Sequence, residues 1–209
     1  METLILTEAG LEYARTIIKH GGLAAVPTET VYGLSADGLN PDAVELIYAV
    51  KGRPETKPIN LLVSGMDSVQ RFCRDIPGDA YTLAEKFWPG PLTMILLKKS
   101  IVPDIVTAGG ITVGVRCPDH ELTLKLLELC GTPLATPSAN ISGMSSPKCV
   151  QDVLKYFDGK IPCVIDGGKC RVGVESTIVD MTVFPYKILR QGGLLQADIE
   201  AALGMEVAV

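Results

Sequence analysis

The feature that most constrains the fold is an alternation of short apolar strand segments with helical segments, which ends in three strand segments in succession. The predicted strands are LAAVP, INLLVSG, LTMILLKK, ITVGVRC, PLATPS, PCVIDGG, ESTIVDMT and YKILRQG. The predicted helices are EAGLEYARTIIKHGG, NPDAVELIYAV, DAYTLAEKFW, DHELTLKLLELCG, SSPKCVQDVLKYF and QADIEAAL. This order predicts an α/β fold with a mixed sheet and flanking helices, not a purely doubly wound sheet.

Residues that favour helix ends flank several of the helical segments. Asn40 followed by Pro41 predicts an N-cap and a first helical position, and this helix is expected to end near Lys51-Gly52. The other predicted N-caps are Thr7, Asp119 and Ser146. Gly21-Gly22 and Gly131 follow two helical segments, as glycine often does where a chain leaves a helix.

The composition favours one α/β domain with an aliphatic core. Hydrophobic residues make up 47% of the 209 residues and aromatic residues only 5%, which favours a core of Val, Ile, Leu and Ala. We predict a single domain over residues 1–209, with a core from about 7 to 195 and a C-terminal helix at 197–203. The net charge of −5 argues against a dedicated nucleic-acid binder, but it is compatible with one basic cleft.

The cysteines and histidines show no pattern of a metal site. The six cysteines form no CxxC pair, and His20 and His120 are not near cysteine pairs. The sequence shows no signal peptide and no apolar run of membrane-spanning length. We therefore predict a cytoplasmic protein with reduced and partly buried thiols, without a protein-held metal and without membrane association.

The segment KGRPETKP, residues 51–58, concentrates positive charge in an acidic chain. Lys51, Arg53 and Lys57 are spaced around Pro54 and Pro58, which restrict the freedom of the loop. Such a segment can focus positive charge on an anionic ligand. A solvated basic loop after a helix would also explain it.

Other polar residues follow, begin or end predicted strands, where α/β sheets form ligand crevices. These residues are Thr28, Glu29, Thr30, Arg116, Thr136, Ser138, Asn140, Ser176 and Arg190. Hydroxyl and amide groups can bind a small polar ligand, and arginine suits carboxylate or phosphate. Structural interpretations stay open: TPSAN as an ordinary turn, Arg116 as a strand-end ion pair and Glu29 as a loop carboxylate. The signatures GxxxxGK[ST], GxGxxG, HExxH and GxSxG do not occur in the sequence.

Taken together, the segments PTETVYGL, KGRPETKPINLLV, FWPGPLT, VGVRCP, ATPSANISGMSSP, GVESTIVD and ILRQGG resemble the YrdC family, the threonylcarbamoyl-AMP synthases. They occur in the family's order over roughly residues 20–195. The resemblance implies a twisted mixed sheet with a large concave basic cleft. It also implies that L-threonine, bicarbonate and ATP are converted to threonylcarbamoyl-AMP and pyrophosphate. A long C-terminal extension is absent from the sequence, so the chain resembles the family's short form.

The resemblance also implies the residues of the site. Lys51 and Arg53 match the family's KxR pair and Ser138 and Asn140 its SxN pair, and these are the predicted catalytic residues. The predicted ATP-binding residues are Arg53, Lys57, Thr112, Ser138, Ser146 and Arg190. The predicted threonine-binding residues are Thr30, Leu62, Arg116, Thr136 and Ser176. Leu62 departs from the family pattern, in which histidine often occupies this place, so we expect Leu62 to form an apolar wall.

The implied mechanism needs no covalent enzyme nucleophile. Threonine's amine would attack CO2 or bicarbonate, and the resulting carbamate would attack the α-phosphorus of ATP while cations stabilise the charge. We expect Mg²⁺ to accompany ATP, held by phosphates and water and not by a protein cage. A separate transferase complex would move the threonylcarbamoyl group to adenosine 37 of tRNA, and direct tRNA or RNA binding by this chain is expected to be weak. Two alternatives stay open: a double-stranded-RNA-binding module and an enzyme that forms carbamoyl-adenylate.

Overall fold

The computed structural model describes residues 2–209. Its strands are β1 (Leu4–Leu6), β2 (Ala24–Val26), β3 (Gly33–Asp37), β4 (Leu61–Leu62), β5 (Cys73–Arg74), β6 (Leu92–Lys98), β7 (Thr112–Arg116), β8 (Leu134–Ala135), β9 (Cys163–Ile165), β10 (Thr177–Asp180) and β11 (Lys187–Arg190). Its α-helices are α1 (Leu11–Lys19), α2 (Pro41–Lys51), α3 (Met66–Val69), α4 (Gly78–Phe87), α5 (Glu121–Cys130), α6 (Val150–Phe157) and α7 (Gln196–Leu203). Short 3-10 helices lie at Glu8–Gly10 and Asp104–Thr107.

The strands of this described range join one sheet in the order β1-β9-β2-β3-β8-β4-β7-β6-β10-β11, with β5 paired to β6 beside that path. Neighbours are parallel at β1–β9, β9–β2, β4–β7 and β6–β10. They are antiparallel at β2–β3, β3–β8, β8–β4, β7–β6 and β10–β11. The prediction of a mixed sheet with flanking helices is therefore confirmed. The continuous sheet is consistent with a single domain, which stays a prediction.

An aliphatic core fills the space between the sheet and the helices. Leu34, Ile47, Leu61 and Met94 are all fully buried within one apolar cluster. Burying one such side chain is worth about 1.5–3 kcal/mol, so a core of this kind can hold short strands in place. A smaller cluster, which includes Ala14 and Leu126, packs α1 and α5 together on the sheet.

Only part of the predicted helix capping is confirmed. The side chain of Asn40 accepts hydrogen bonds from the backbone N of Asp42 (3.1 Å) and of Ala43 (3.3 Å), and Gly52 ends α2 in the left-handed conformation at φ 57°. Gly131 ends α5 in the same way at φ 62°. These caps depend on neighbours within one helical turn, which explains why the sequence predicts them.

The other predicted N-caps are wrong, in two cases because the side chain has a partner elsewhere. Thr7 precedes a 3-10 helix and makes no capping bond. Asp119 binds Arg171, with 2.6 Å between Oδ2 and Nη2, and α5 begins two residues later. Ser146 donates a hydrogen bond to Glu175 (2.6 Å), and α6 begins only at Val150.

The strands β1, β3 and β5 and the short helix α3 were not predicted. β1 is the three-residue segment LIL, too short for an alternating pattern. β3 has the sequence GLSAD, whose glycine and polar residues are unfavourable for a strand. Its position between β2 and β8 compensates for this weak propensity. None of the helices in residues 2–209 combines the length and the apolar content needed to cross a membrane.

Candidate active site

Strand ends and the loops that follow them enclose a cavity of about 140 Å³. The predicted site residues that line it are Thr30, Arg53, Leu62, Arg116, Thr136, Ser138, Ser176 and Arg190. These residues come from sequence positions up to 160 apart, so the sheet brings them together. Pockets for small-molecule ligands typically have about 300–1,000 Å³, and a nucleotide bound here would therefore extend beyond the cavity. The predicted large basic cleft stays a prediction.

Other predicted residues lie outside the lining of this cavity. They are Lys51, Lys57, Thr112, Asn140 and Ser146. Lys57 is exposed on the loop of the KGRPETKP segment, and Thr112 begins β7, at the end of that strand opposite to Arg116. Either residue would reach a ligand only where that ligand extends out of the cavity.

The cavity also has lining residues that the site prediction did not include. Asn60 and Glu175 face it, together with Thr28, which was predicted to lie at a strand end but was not assigned to a ligand. Asn60 immediately precedes β4, and Glu175 lies two residues before β10. Their placement at strand starts was the available signal, but that signal does not separate them from ordinary loop residues.

Arginine side chains make part of the wall cationic. Arg53 is fixed by hydrogen bonds from Nε to the backbone O of Lys57 (3.2 Å) and from Nη2 to that of Pro58 (2.8 Å). Arg190 donates from Nε and Nη2 to the backbone O of Ser176 (3.1 and 2.8 Å). Desolvation lowers the pKa of Arg190, and the charge of Arg116 acts in the same direction. Each guanidinium is therefore held in a fixed orientation at the cavity.

Arg116 is both a cavity residue and a member of a buried ion pair. Its Nη2 lies 2.7 Å from Oε1 of Glu29, and both side chains are almost completely buried. These two atoms are close but are not aligned as a hydrogen bond, so the contact is mainly electrostatic. Nε of Arg116 donates to the backbone O of Gly90 (3.1 Å), and Oε2 of Glu29 accepts from the backbone N of Asp119 (3.0 Å). The interpretation of Arg116 as an ion-pair residue is thus confirmed, and its contact with a ligand stays a prediction.

Hydroxyl groups in the cavity are supported by further hydroxyls. Thr28 and Thr30 are hydrogen-bonded at 2.9 Å, and Ser176 is hydrogen-bonded to Thr93 at 2.8 Å. Thr136 makes the same contact with Ser35, also at 2.8 Å. Because each pair fixes the oxygen positions before a ligand arrives, little side-chain freedom would be lost on binding.

Gly33 allows the chain to pass close to Thr136. A Cβ atom at this position would lie 2.3 Å from Cγ2 of Thr136, which is far inside van der Waals contact. Gly33 also forms an isolated bridge with Ser138. The glycine therefore allows β3 and the loop after β8 to approach each other at the cavity wall.

Lys51 is buried beside the site with an unusual environment. Its Nζ donates hydrogen bonds to the backbone O atoms of Ser138 and Asn140. Burial lowers the pKa of Lys51 to about 7, and the nearby charge of Arg53 contributes to this shift.

Hydrogen bonding from Ser146 lowers the pKa of Glu175, so this carboxylate is ionised at neutral pH.

The described residues offer little for direct metal binding. Among residues 2–209, no group of three or more His, Cys, Asp or Glu side chains could hold a metal ion. The cysteines are all free thiols, and five of them are buried. Burial raises the pKa of the Cys117 thiol, the one next to Arg116, to about 11.

Comparisons with known proteins agree on one family. The family model for Sua5, YciO and YrdC proteins, described as "Telomere recombination", matches residues 16–192. The chain is 46% identical to a threonylcarbamoyl-AMP synthase of Pyrococcus abyssi, over 95% of this chain and 58% of the relative. It is 37% identical to a putative threonylcarbamoyl-AMP synthase of Methanocaldococcus jannaschii, over 87% of this chain and 85% of that protein.

A solved structure has nearly the same fold. The crystal structure of Pyrococcus abyssi Sua5 complexed with L-threonine superposes with a TM-score of 0.96 at 44% sequence identity. The match covers 99% of this chain and 63% of that one. The chain thus spans somewhat less than two thirds of the length of the Pyrococcus proteins that it matches.

Proposed function

The chain belongs to the Sua5/YciO/YrdC family, and from this membership we propose that it is a threonylcarbamoyl-AMP synthase. The reaction would convert L-threonine, bicarbonate and ATP to threonylcarbamoyl-AMP and pyrophosphate. One observation carries the proposal: fixed arginines and supported hydroxyls converge on one cavity, in a fold shared with a Sua5 that is described in complex with L-threonine.

We assign the ligand groups to the cavity by charge. Arg116 suits the carboxylate of threonine, because a guanidinium can bind carboxylate through two parallel hydrogen bonds. The supported hydroxyls of Thr30, Thr136 and Ser176 suit the polar groups of the amino acid. Arg53 and Arg190 would stabilise the negative charge of the triphosphate.

The chemistry would proceed in two steps. The threonine nitrogen forms a bond to the carbon of CO2 derived from bicarbonate and loses a proton, which gives a carbamate. A carbamate oxygen then bonds to the α-phosphorus of ATP, while the bond from that phosphorus to the bridging oxygen breaks and pyrophosphate leaves. The protein contributes orientation and fixed positive charge, which lower the barrier without a covalent intermediate. A nucleotide that covers the open side of the cavity would help to protect the labile carbamate from water.

Mg²⁺ would arrive with ATP. Glu175 is the acidic side chain among the described lining residues, so the cavity does not supply a protein cage for the ion. Mg²⁺ commonly keeps several waters and is bound largely by substrate phosphates. No step above depends on a protein-bound metal.

The product would serve tRNA modification. A mixed anhydride of this kind is an activated acyl donor, and we propose that a separate transferase complex uses it to form N6-threonylcarbamoyladenosine at tRNA position 37. ATP and tRNA are both available in the cytoplasm, where we expect the chain to act.

The test is an incubation of the chain with ATP, Mg²⁺, L-threonine and bicarbonate, followed by mass spectrometry of the product. We expect threonylcarbamoyl-AMP and pyrophosphate in equal amounts, with neither formed when threonine or bicarbonate is omitted. Equal pyrophosphate release without threonine would contradict the proposal. Hydrolysis of carbamoyl phosphate would instead favour carbamoyl-adenylate chemistry.

A further inference from the structure

Lys51 uses its side chain inside the protein. It is the last residue of α2, is only 1% exposed, and lies outside the cavity lining. Its Nζ donates to the backbone O atoms of Ser138 and Asn140, and its own backbone O accepts from the N of Ser142 (3.0 Å). Within residues 2–209, Lys51 forms no ion pair with a carboxylate. The side chain is therefore an internal brace for the turn after β8.

Asn140 completes the same hydrogen-bonded unit. Its Oδ1 accepts from the hydroxyl of Ser138 at 2.5 Å, and its Nδ2 donates to the backbone O of Ile141 (2.9 Å) and of Met144 (2.7 Å). The two N–H groups and the oxygen of this amide are all engaged by the turn itself. Of this unit, Ser138 lines the cavity, whereas Lys51 and Asn140 do not.

We propose that Lys51 and Asn140 are positioning residues, which act on the nucleotide through Ser138 and do not touch it, and that Lys51 needs its N–H donors and not its charge. The inference rests on the proposed function only in taking the ligand of Ser138 to be the triphosphate. A neutral amine has two N–H groups, and two backbone oxygens accept from Nζ. A third N–H of an ammonium would have no acceptor in this buried position, which would cost free energy. The lowered pKa of Lys51 agrees with this geometry.

A double-mutant cycle with Lys51→Met and Ser138→Ala tests the coupling. Met has similar length but no donor, so it removes the brace. Each single variant should weaken ATP binding about threefold to tenfold in calorimetry, the range expected for one lost hydrogen bond. The double variant should bind ATP no more weakly than the weaker-binding of the two single variants. The reason is that Lys51→Met already displaces the Ser138 hydroxyl, so that Ser138→Ala then removes no further contact.

A control cycle combines Lys51→Met with Ser176→Ala, on the threonine side of the cavity. Here we expect the two factors to multiply, because Ser176 is bonded to Thr93 and Arg190 and not to the turn. If Lys51→Met weakens binding by its full factor also in the Ser138→Ala background, Lys51 contacts the ligand directly and the proposal is wrong. Asn140→Ala paired with Ser138→Ala gives an independent second cycle.

A measurement on the wild-type chain does not depend on the folding of any variant. The pKa of Lys51 can be followed by NMR of the labelled side-chain nitrogen, with and without saturating pyrophosphate. A positioning lysine should keep its pKa near 7, whereas direct phosphate contact should raise it by a unit or more. This experiment measures binding and not turnover. If the chain had no synthase activity, only the proposed function would be refuted, and the positioning role of Lys51 would still be tested by this experiment.

Discussion

Replacing Glu29 by Ala should destabilise the protein through Arg116. The variant leaves the guanidinium buried, with the backbone O of Gly90 as its remaining hydrogen-bond partner, and removes the acceptor of the Asp119 backbone N. Breaking a buried ion pair by deleting one partner typically costs about 3–5 kcal/mol. For a chain of this size each kcal/mol lowers Tm by about 2–4 °C, so we expect a fall of roughly 6–20 °C.

Differential scanning calorimetry of a small set of variants measures this loss. Glu29→Gln keeps an acceptor oxygen without the charge and should fall between wild type and Glu29→Ala. The double variant Glu29→Ala with Arg116→Ala should recover part of the loss, because no unpaired charge stays buried. Lys125→Ala is the control, since its pairs with Glu8 and Glu121 are solvent-exposed and should hardly affect Tm.

Two results would refute this reasoning. If Glu29→Ala melted within about 2 °C of wild type, the pair would contribute less than about 1 kcal/mol and would not be effectively buried. If the double variant were no more stable than Glu29→Ala, the loss would come from packing and not from the uncompensated charge. Either outcome would also remove the physical basis for treating Arg116 as rigidly oriented toward the cavity.

The remaining predictions concern the basic segment, the buried amine and the thiols. Arg53→Ala should lower kcat/KM by about thirtyfold to several hundredfold and Arg53→Lys should recover little, because a point charge does not replace the guanidinium fork. Because Arg53 donates hydrogen bonds to two loop carbonyls, Arg53→Ala should also lower the free energy of unfolding by about 1–2 kcal/mol. If Arg53→Ala kept full activity and melted like wild type, the segment would be only a solvated loop. Between pH 7 and 8.5 the free energy of unfolding of wild type should rise relative to that of Lys51→Met by up to about 1.4 kcal/mol per pH unit. The reason is that the folded amine has lost its proton above pH about 7, whereas the unfolded amine keeps it up to about 10.5. If urea unfolding gave the same pH dependence for both proteins, this prediction would be contradicted. Cys117→Ser should keep most of the synthase activity, because a thiol whose pKa is raised to about 11 is not a nucleophile at neutral pH. A loss of activity beyond about a hundredfold with an intact fold would mean that the thiol takes part in the reaction.

Some features of this protein follow from the sequence because they depend on neighbours within one turn. Asn40, Pro41 and Gly52 set the ends of α2, since capping bonds and the left-handed exit are local. The long apolar segments of β6 and β7 also form strands as predicted. The prediction failed for Ser146, whose hydroxyl donates a hydrogen bond to Glu175 and does not cap α6. A partner that is distant in the sequence replaced the local capping bond there.

The sequence also indicates which segments carry the site. The order of the motifs assigns the chain to its family, and most of the predicted ligand residues do line one cavity. Thr30, Arg116 and Ser176 meet there because β3, β7 and β10, which they precede or end, are far apart in the chain but belong to one continuous sheet. Their identity was predictable from the motifs, but their distances and partners were not.

Only the tertiary structure decides strand order and the function of individual polar groups within the site. The consecutive strands β9 and β10 lie far apart in the sheet, because β9 inserts between β1 and β2 while β10 pairs with β6 and β11. The chain likewise places Lys51 beneath the turn of Ser138, 87 residues away, where burial makes it an internal donor and not an exposed cation. Such contacts depend on the packing of the whole chain, and a local sequence pattern contains no information about which distant backbone oxygens will lie within reach of a side chain.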